Sequence, residues 1–92
     1  MCSYNAVNGK PTCASPFLNH VLRQKFKFNG YITGDTGAVN DIYAAHKYVK
    51  TPAEAACKAL RDGGCDMDSG SVYAEHLLEG VNAGYCSMED TP

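Results

Sequence analysis

Asp35 is the residue in this chain best placed to do chemistry. It ends the run Gly30-Tyr31-Ile32-Thr33-Gly34-Asp35, a short apolar and β-branched stretch that stops at a carboxylate. Such a run reads as a buried strand. A carboxylate directly after it stands at the strand's C-terminal end, where barrel-type and open α/β folds gather their reactive groups. Asp also opens turns and caps helices, so this stretch alone leaves both roles open.

Other residues that carry chemistry are less well placed. The five cysteines, Cys2, Cys13, Cys57, Cys65 and Cys86, are many for the length, yet they include no Cys-x-x-Cys pair and no matching His spacing, so no metal site is expected. Cys2 and Cys13 flank a Gly-Pro loop and could close a small disulfide; the other three read as buried thiols in helices or strands. His20, His46 and His76 are isolated in the sequence, and only His46, in the loop after Asp35, is near enough to that strand end to reach a substrate. Glu54, Glu75, Glu79 and Glu89 fall on helices at surface-like spacing and read as solvated.

The elements that would position Asp35 follow from pattern and punctuation. Residues 1 to 4 are strand-compatible, and Asn5 to Pro11 form a polar loop marked by Asn-Gly and Pro. Ser15-Pro16 reads as an N-cap with Pro at the first helical position, opening a helix to about Phe26 with Phe17, Leu18, Val21 and Leu22 at helical spacing. After the Asp35 strand, residues 36 to 50 form a mixed loop in which Ala38-Val39 and Ile42-Tyr43 could make a short helix. Thr51-Pro52-Ala53-Glu54 has the form of a capping box, and its Ala-rich helix ends at Gly63-Gly64. Cys65 to Asp68 reads as a third short strand. Ser71 would cap a helix with Val72, Tyr73, Leu77, Leu78 and Val81 inward, closed by Gly84. Ser87 to Asp90 has the spacing of one more helix start.

The order is strand, helix, strand, helix, strand, helix, a parallel α/β layout. The chain has 92 residues, 45% hydrophobic and 20% charged, with a formal net charge of −2. A chain this short can bury only roughly 60 to 65% of its unfolded surface. Three parallel strands cannot cover both faces of their sheet, so the pattern reads as a piece of a larger α/β fold. With no basic stripe and no long apolar span, neither nucleic acid nor a membrane is an expected partner. The N-terminus lacks the layout of a signal peptide, so the chain itself carries no address.

Taken together and in order, Met1-Cys-Ser-Tyr-Asn-Ala-Val-Asn-Gly-Lys-Pro-Thr-Cys13, the Leu22-Arg23 helix, Phe28-Asn-Gly-Tyr-Ile-Thr-Gly-Asp35 and Gly64-Cys-Asp66-Met resemble the N-terminal barrel domain of glycoside hydrolase family 3, in its β-xylosidase-like branch. The resemblance covers essentially the whole chain, residues 1–92. It implies a β-α-β-α-β-α piece of a (β/α)8 barrel, about its last three strands, with the active site at their C-terminal ends. It implies that Asp35 is the nucleophile of a retaining glycosidase, that Tyr4 lies beside it, and that Asn5 helps shape the same wall of the sugar site. A retaining mechanism also needs a second carboxyl group about 5 Å away as acid/base. In the family that group comes from a segment well downstream, and the Lys-His substrate-binding motif from earlier strands.

The implied function is thus a fragment of a retaining β-glycosidase acting on an oligosaccharide or glycoside, with no cofactor. Its partners would be the missing remainder of the barrel and a C-terminal domain, and its parent would be secreted or periplasmic. Three positions depart from the pattern. Family members usually carry Ser before the nucleophile and Trp or Cys after it, where this chain has Gly34 and Thr36, and a Cys commonly stands where it has Ser69. A non-catalytic carbohydrate-binding or assembly fragment derived from such an enzyme is the alternative these departures suggest.

Overall fold

The computed structural model describes residues 1–90, and Thr91 and Pro92 lie outside them. Three parallel segments form its centre. The Cys2 segment bridges Gly34, and Thr33 bridges Met67, both in parallel register, so the Asp35 run lies between the other two. Cys2 N–H donates to Thr33 at 2.9 Å and Asp35 N–H donates to Cys2 at 2.9 Å, while Gly34 N–H donates to Met67 at 2.8 Å. The expected strand pairing is therefore present as single parallel bridges. The run is not buried throughout: Ile32 is 6% exposed, whereas Tyr31, on the opposite face, is 66% exposed.

The polar loop expected over Asn5 to Pro11 is a hairpin, with β1 (Ala6–Val7) antiparallel to β2 (Lys10–Pro11). Asn8 and Gly9 have φ of 52° and 79°, the pair of positive angles that a two-residue type I′ turn requires. The helix at Ser15-Pro16 forms as α1 (Pro16–His20), and the Ser15 hydroxyl accepts from Leu18 N–H at 3.2 Å. It widens into a π turn over Val21–Lys25 before Phe26.

Two helices, not one, connect the second and third parallel segments. The first, α2 (Ala38–Ala44), supplies Val39 and Ile42, the largest fully buried side chains. A stretch that read as a loop with a short helix is thus a core element. The second, α3 (Pro52–Arg61), is capped by the Thr51 hydroxyl, which accepts from Glu54 N–H at 3.2 Å. Its small side chains Ala53, Ala55, Ala56 and Ala59 are buried and let neighbours approach closely. Gly80 of α4 (Val72–Asn82) packs so near that a Cβ there would stand 2.6 Å from Cys57 Sγ.

Three details of this half differ from expectation. Ser71 makes no side-chain cap; the Asp68 carboxylate takes its place, accepting from Tyr73 N–H at 3.1 Å. Leu78, expected inward, is 68% exposed. Cys57 and Cys86, read as separate thiols, form a disulfide beside the expected Cys2–Cys13 bridge, and Cys65 is the buried free thiol. The helix start at Ser87 appears as a 3-10 turn, Met88–Asp90, and its continuation lies outside the described residues.

Candidate active site

Asp35 is half-buried and stands directly after the bridged residues Thr33 and Gly34. Its backbone N–H is held by Cys2, its carbonyl accepts from Ala38 N–H at 2.9 Å, and its Oδ1 accepts from Thr36 N–H at 2.8 Å. It therefore also opens the turn into α2, whose N-cap is Gly37 at φ 79°. Hydrogen bonds to Met67 and Cys2 clamp the chain at Gly34 and Asp35, which curbs the backbone freedom of a glycine at that position.

Tyr4 reaches this strand end from the first parallel segment. Its hydroxyl donates to the Thr36 carbonyl at 2.7 Å. Desolvation, followed by the charge of nearby Asp35, raises the phenol above its ordinary value. The phenol's one proton is spent on the Thr36 carbonyl, so its ring and oxygen stand close to the carboxylate and hold the turn that follows it. His46 joins them from beyond α2, with Nε2 2.7 Å from the Tyr4 carbonyl oxygen. It braces the Tyr4 main chain. Asn5 is tied locally: its Oδ1 accepts from the Ser3 hydroxyl and its carbonyl accepts from Thr12 N–H at 3.1 Å.

The structure thus brings Asp35, Tyr4 and His46 together and leaves Asn5 beside them, held to its own hairpin. Thr36 and Ser69, noted in the sequence only as departures, face each other with their hydroxyl oxygens 3.0 Å apart. Three other acidic groups, Asp66, Glu75 and Glu79, are occupied elsewhere. Asp66 binds Arg23 at 3.0 Å and accepts from Ile32 N–H at 2.9 Å, which ties the turn after α1 to the central segments. The guanidinium also lies 5.4 Å from the Phe28 ring centre. Glu75 and Glu79 are 65% and 62% exposed and flank His76 at 3.8 and 3.0 Å, so that histidine is not isolated.

A half-buried carboxylate ending a parallel segment, with a phenol closing over the residue after it and an imidazole bracing that phenol's main chain, stands where barrel-type α/β folds carry their reactive groups. The chain belongs to glycosyl hydrolase family 3: the model of that family's N terminal domain matches residues 1–91. Among its relatives, a probable exo-1,4-β-xylosidase of Neosartorya fischeri is 48% identical over 88 residues, which cover 91% of this chain and 11% of that protein. A β-xylosidase/α-L-arabinofuranosidase of Medicago sativa subsp. varia is 48% identical over 85 residues, again 91% of this chain and 11% of the relative. Among solved structures, a family 3 exo-β-xylosidase in complex with a xylobiose aziridine activity-based probe superposes with a TM-score of 0.88 at 34% identity, over 98% of this chain and 12% of that one. A β-glucosidase from Listeria innocua in complex with isofagomine gives 0.83 at 30% identity, over 94% of this chain and 12% of that one. The chain spans about a tenth of the length of the curated relatives it matches.

Proposed function

We propose that this chain is the part of a retaining β-glycosidase, β-xylosidase-like, that carries the nucleophile and not the acid/base, and that it forms about the last three strands of a (β/α)8 barrel. The observation that carries the proposal is Tyr4, braced by His46, closing over the strand end occupied by Asp35. In this reading the Asp35 carboxylate attacks the anomeric carbon of a bound glycoside and forms a covalent glycosyl ester. A carboxyl group from the rest of the barrel protonates the leaving oxygen and then activates water to release the sugar. Tyr4 fixes the turn that carries the carboxylate, His46 fixes Tyr4, and Asn5 shapes the adjoining wall.

Large apolar side chains left at the surface support a larger parent fold. Phe26, Tyr31 and Leu78 are 73%, 66% and 68% exposed. Two disulfides support a secreted or periplasmic parent.

The test is a chimera in which residues 1–92 replace the matching segment of the exo-β-xylosidase seen with the aziridine probe. A 2-fluoro-xyloside with a good leaving group should label the chimera, and peptide mapping should place the sugar on Asp35. A chimera that melts like its parent and binds xylose-type inhibitors, yet takes no label, would support the carbohydrate-binding reading instead.

A further inference from the structure

Ser69 lies just beyond the Thr33–Met67 bridge, at the end of the third parallel segment, and has no part in the glycosidase reading. It reaches the turn that follows Asp35 through two contacts. Its carbonyl accepts from Gly37 N–H at 2.9 Å, and its hydroxyl oxygen lies 3.0 Å from that of Thr36. Its own mount is fixed from the far side. The Asp68 carboxylate just before it accepts from Tyr73 N–H at 3.1 Å, which anchors this end of the segment to the start of α4.

Each polar group of Thr36 is engaged in the same small network. Its N–H donates to Asp35 Oδ1 at 2.8 Å, its carbonyl accepts from the Tyr4 hydroxyl at 2.7 Å, and its hydroxyl pairs with Ser69. The turn is thus gripped by Tyr4 from the first parallel segment and by Ser69 from the third. The geometry points to Ser69 as a positioning residue for the nucleophile: its hydroxyl holds Thr36, and Thr36 N–H holds the Asp35 carboxylate. The inference rests on the reading of Asp35 as the nucleophile and adds the residue that steadies it from the opposite side to Tyr4.

Thr36 and Ser69 are both exposed, so losing their contact exchanges a protein partner for water and costs little stability. What the contact restricts is orientation. A carboxylate attacks a carbon well only from a narrow range of positions, and a small displacement at the reacting centre slows the chemical step. Loss of the Ser69 hydroxyl therefore shows in kcat, with KM and the melting temperature near their parental values. A residue that gripped the sugar equally in ground and transition states would instead raise KM and leave kcat alone.

The experiment compares Ser69→Ala, Ser69→Thr, Thr36→Val and the Thr36→Val/Ser69→Ala double variant in the xylosidase chimera on an aryl β-xyloside. Ser69→Ala should lower kcat about five-fold with KM nearly unchanged, and Ser69→Thr, which keeps the hydroxyl, should restore it. The double variant should be no slower than Thr36→Val alone, because both changes remove one contact. In the 92-residue chain, NMR should find solvent exchange of the Thr36 amide at least about two-fold faster in Ser69→Ala, with Gly37 unchanged. An unchanged kcat in Ser69→Ala, a Ser69→Thr variant as slow as Ser69→Ala, or additive losses in the double variant would overturn the proposal. A chimera that takes no label on Asp35 would overturn the nucleophile reading itself. The Thr36 amide then decides the role of Ser69, and equal exchange in the two chains would overturn it.

Discussion

The Tyr4 hydroxyl donates a 2.7 Å hydrogen bond to the Thr36 carbonyl, so the phenol of the first parallel segment closes over the residue that follows Asp35. The bond joins two parts of the chain 32 residues apart and sets the phenol against the carboxylate. Tyr4→Phe keeps the ring and removes the donor. In the xylosidase chimera it should lower kcat/KM about ten-fold on an aryl β-xyloside, the scale of one lost hydrogen bond that positions the nucleophile's turn. Unchanged kinetics would remove Tyr4 from the site.

Tyr73 sets an alkaline limit on stability. Its hydroxyl donates to the Cys65 carbonyl at 2.6 Å, and burial, then Cys65 and the charges of Asp68 and Asp66, push its pKa far above the ordinary 10.0. The unfolded chain releases this proton near pH 10 while the folded chain keeps it, so the contribution is intact below that pH and declines as pH rises past it. The raised Cys65 thiol acts in the same direction from about pH 9. Melting curves followed by circular dichroism from pH 8 to 11 should fall steeply above pH 10. Tyr73→Phe should cost about 1 kcal/mol at neutral pH and flatten that fall. Equal slopes for the two proteins would contradict the assignment.

Gly34 and Gly63 should respond oppositely to the same substitution. At Gly34 an added Cβ meets Val39 Cγ2 at 3.4 Å and Cys65 Sγ at 3.6 Å, ordinary contact distances. Gly34→Ala should be neutral or raise stability by about 0.4 to 1 kcal/mol by restricting the unfolded chain. At Gly63 a Cβ would fall 1.8 Å from the Cys13 carbonyl oxygen, where the end of α3 packs on the Thr12–Ala14 turn. Gly63→Ala should cost about 1 to 3 kcal/mol or more. Thermal melts of the two variants check both signs.

Thr36 and Ser69 hold their hydroxyl oxygens 3.0 Å apart, close to the reach of a disulfide. A Thr36→Cys/Ser69→Cys double variant should oxidise spontaneously and leave the free-thiol titre at one, that of Cys65. Closing a loop over this 33-residue separation should raise stability by at most about 3 to 4 kcal/mol. Three titratable thiols in the double variant would show that the two positions do not meet.

What the sequence made legible was local. Ser15 and Thr51 act as caps because a hydroxyl before Pro needs only the next turn's N–H groups, and both hydrogen bonds form. Ser71 fails because Asp68, five residues before Tyr73, reaches the same orphan donor first. Val39 and Ile42 were hidden among polar neighbours, and their burial depends on α3 and on the Cys13 turn packing over them. Cys57 and Cys86 lie 29 residues apart with no spacing pattern, so only the approach of α4 to α3 pairs them. The Asp35 strand end was readable from its own residues. The brace from His46 to the Tyr4 carbonyl joins segments 42 residues apart, and no local pattern encodes it.

The most direct test of the central claim is nucleophile rescue. In the chimera, Asp35→Gly should lower hydrolysis of an aryl β-xyloside at least ~10³-fold, since it removes the group that forms the covalent intermediate. Added azide should restore turnover by entering the vacated space and should yield the α-glycosyl azide, inverted at the anomeric carbon. A variant that keeps near-parental activity, or whose loss azide cannot restore while the protein remains folded, would contradict the assignment of Asp35 as the nucleophile.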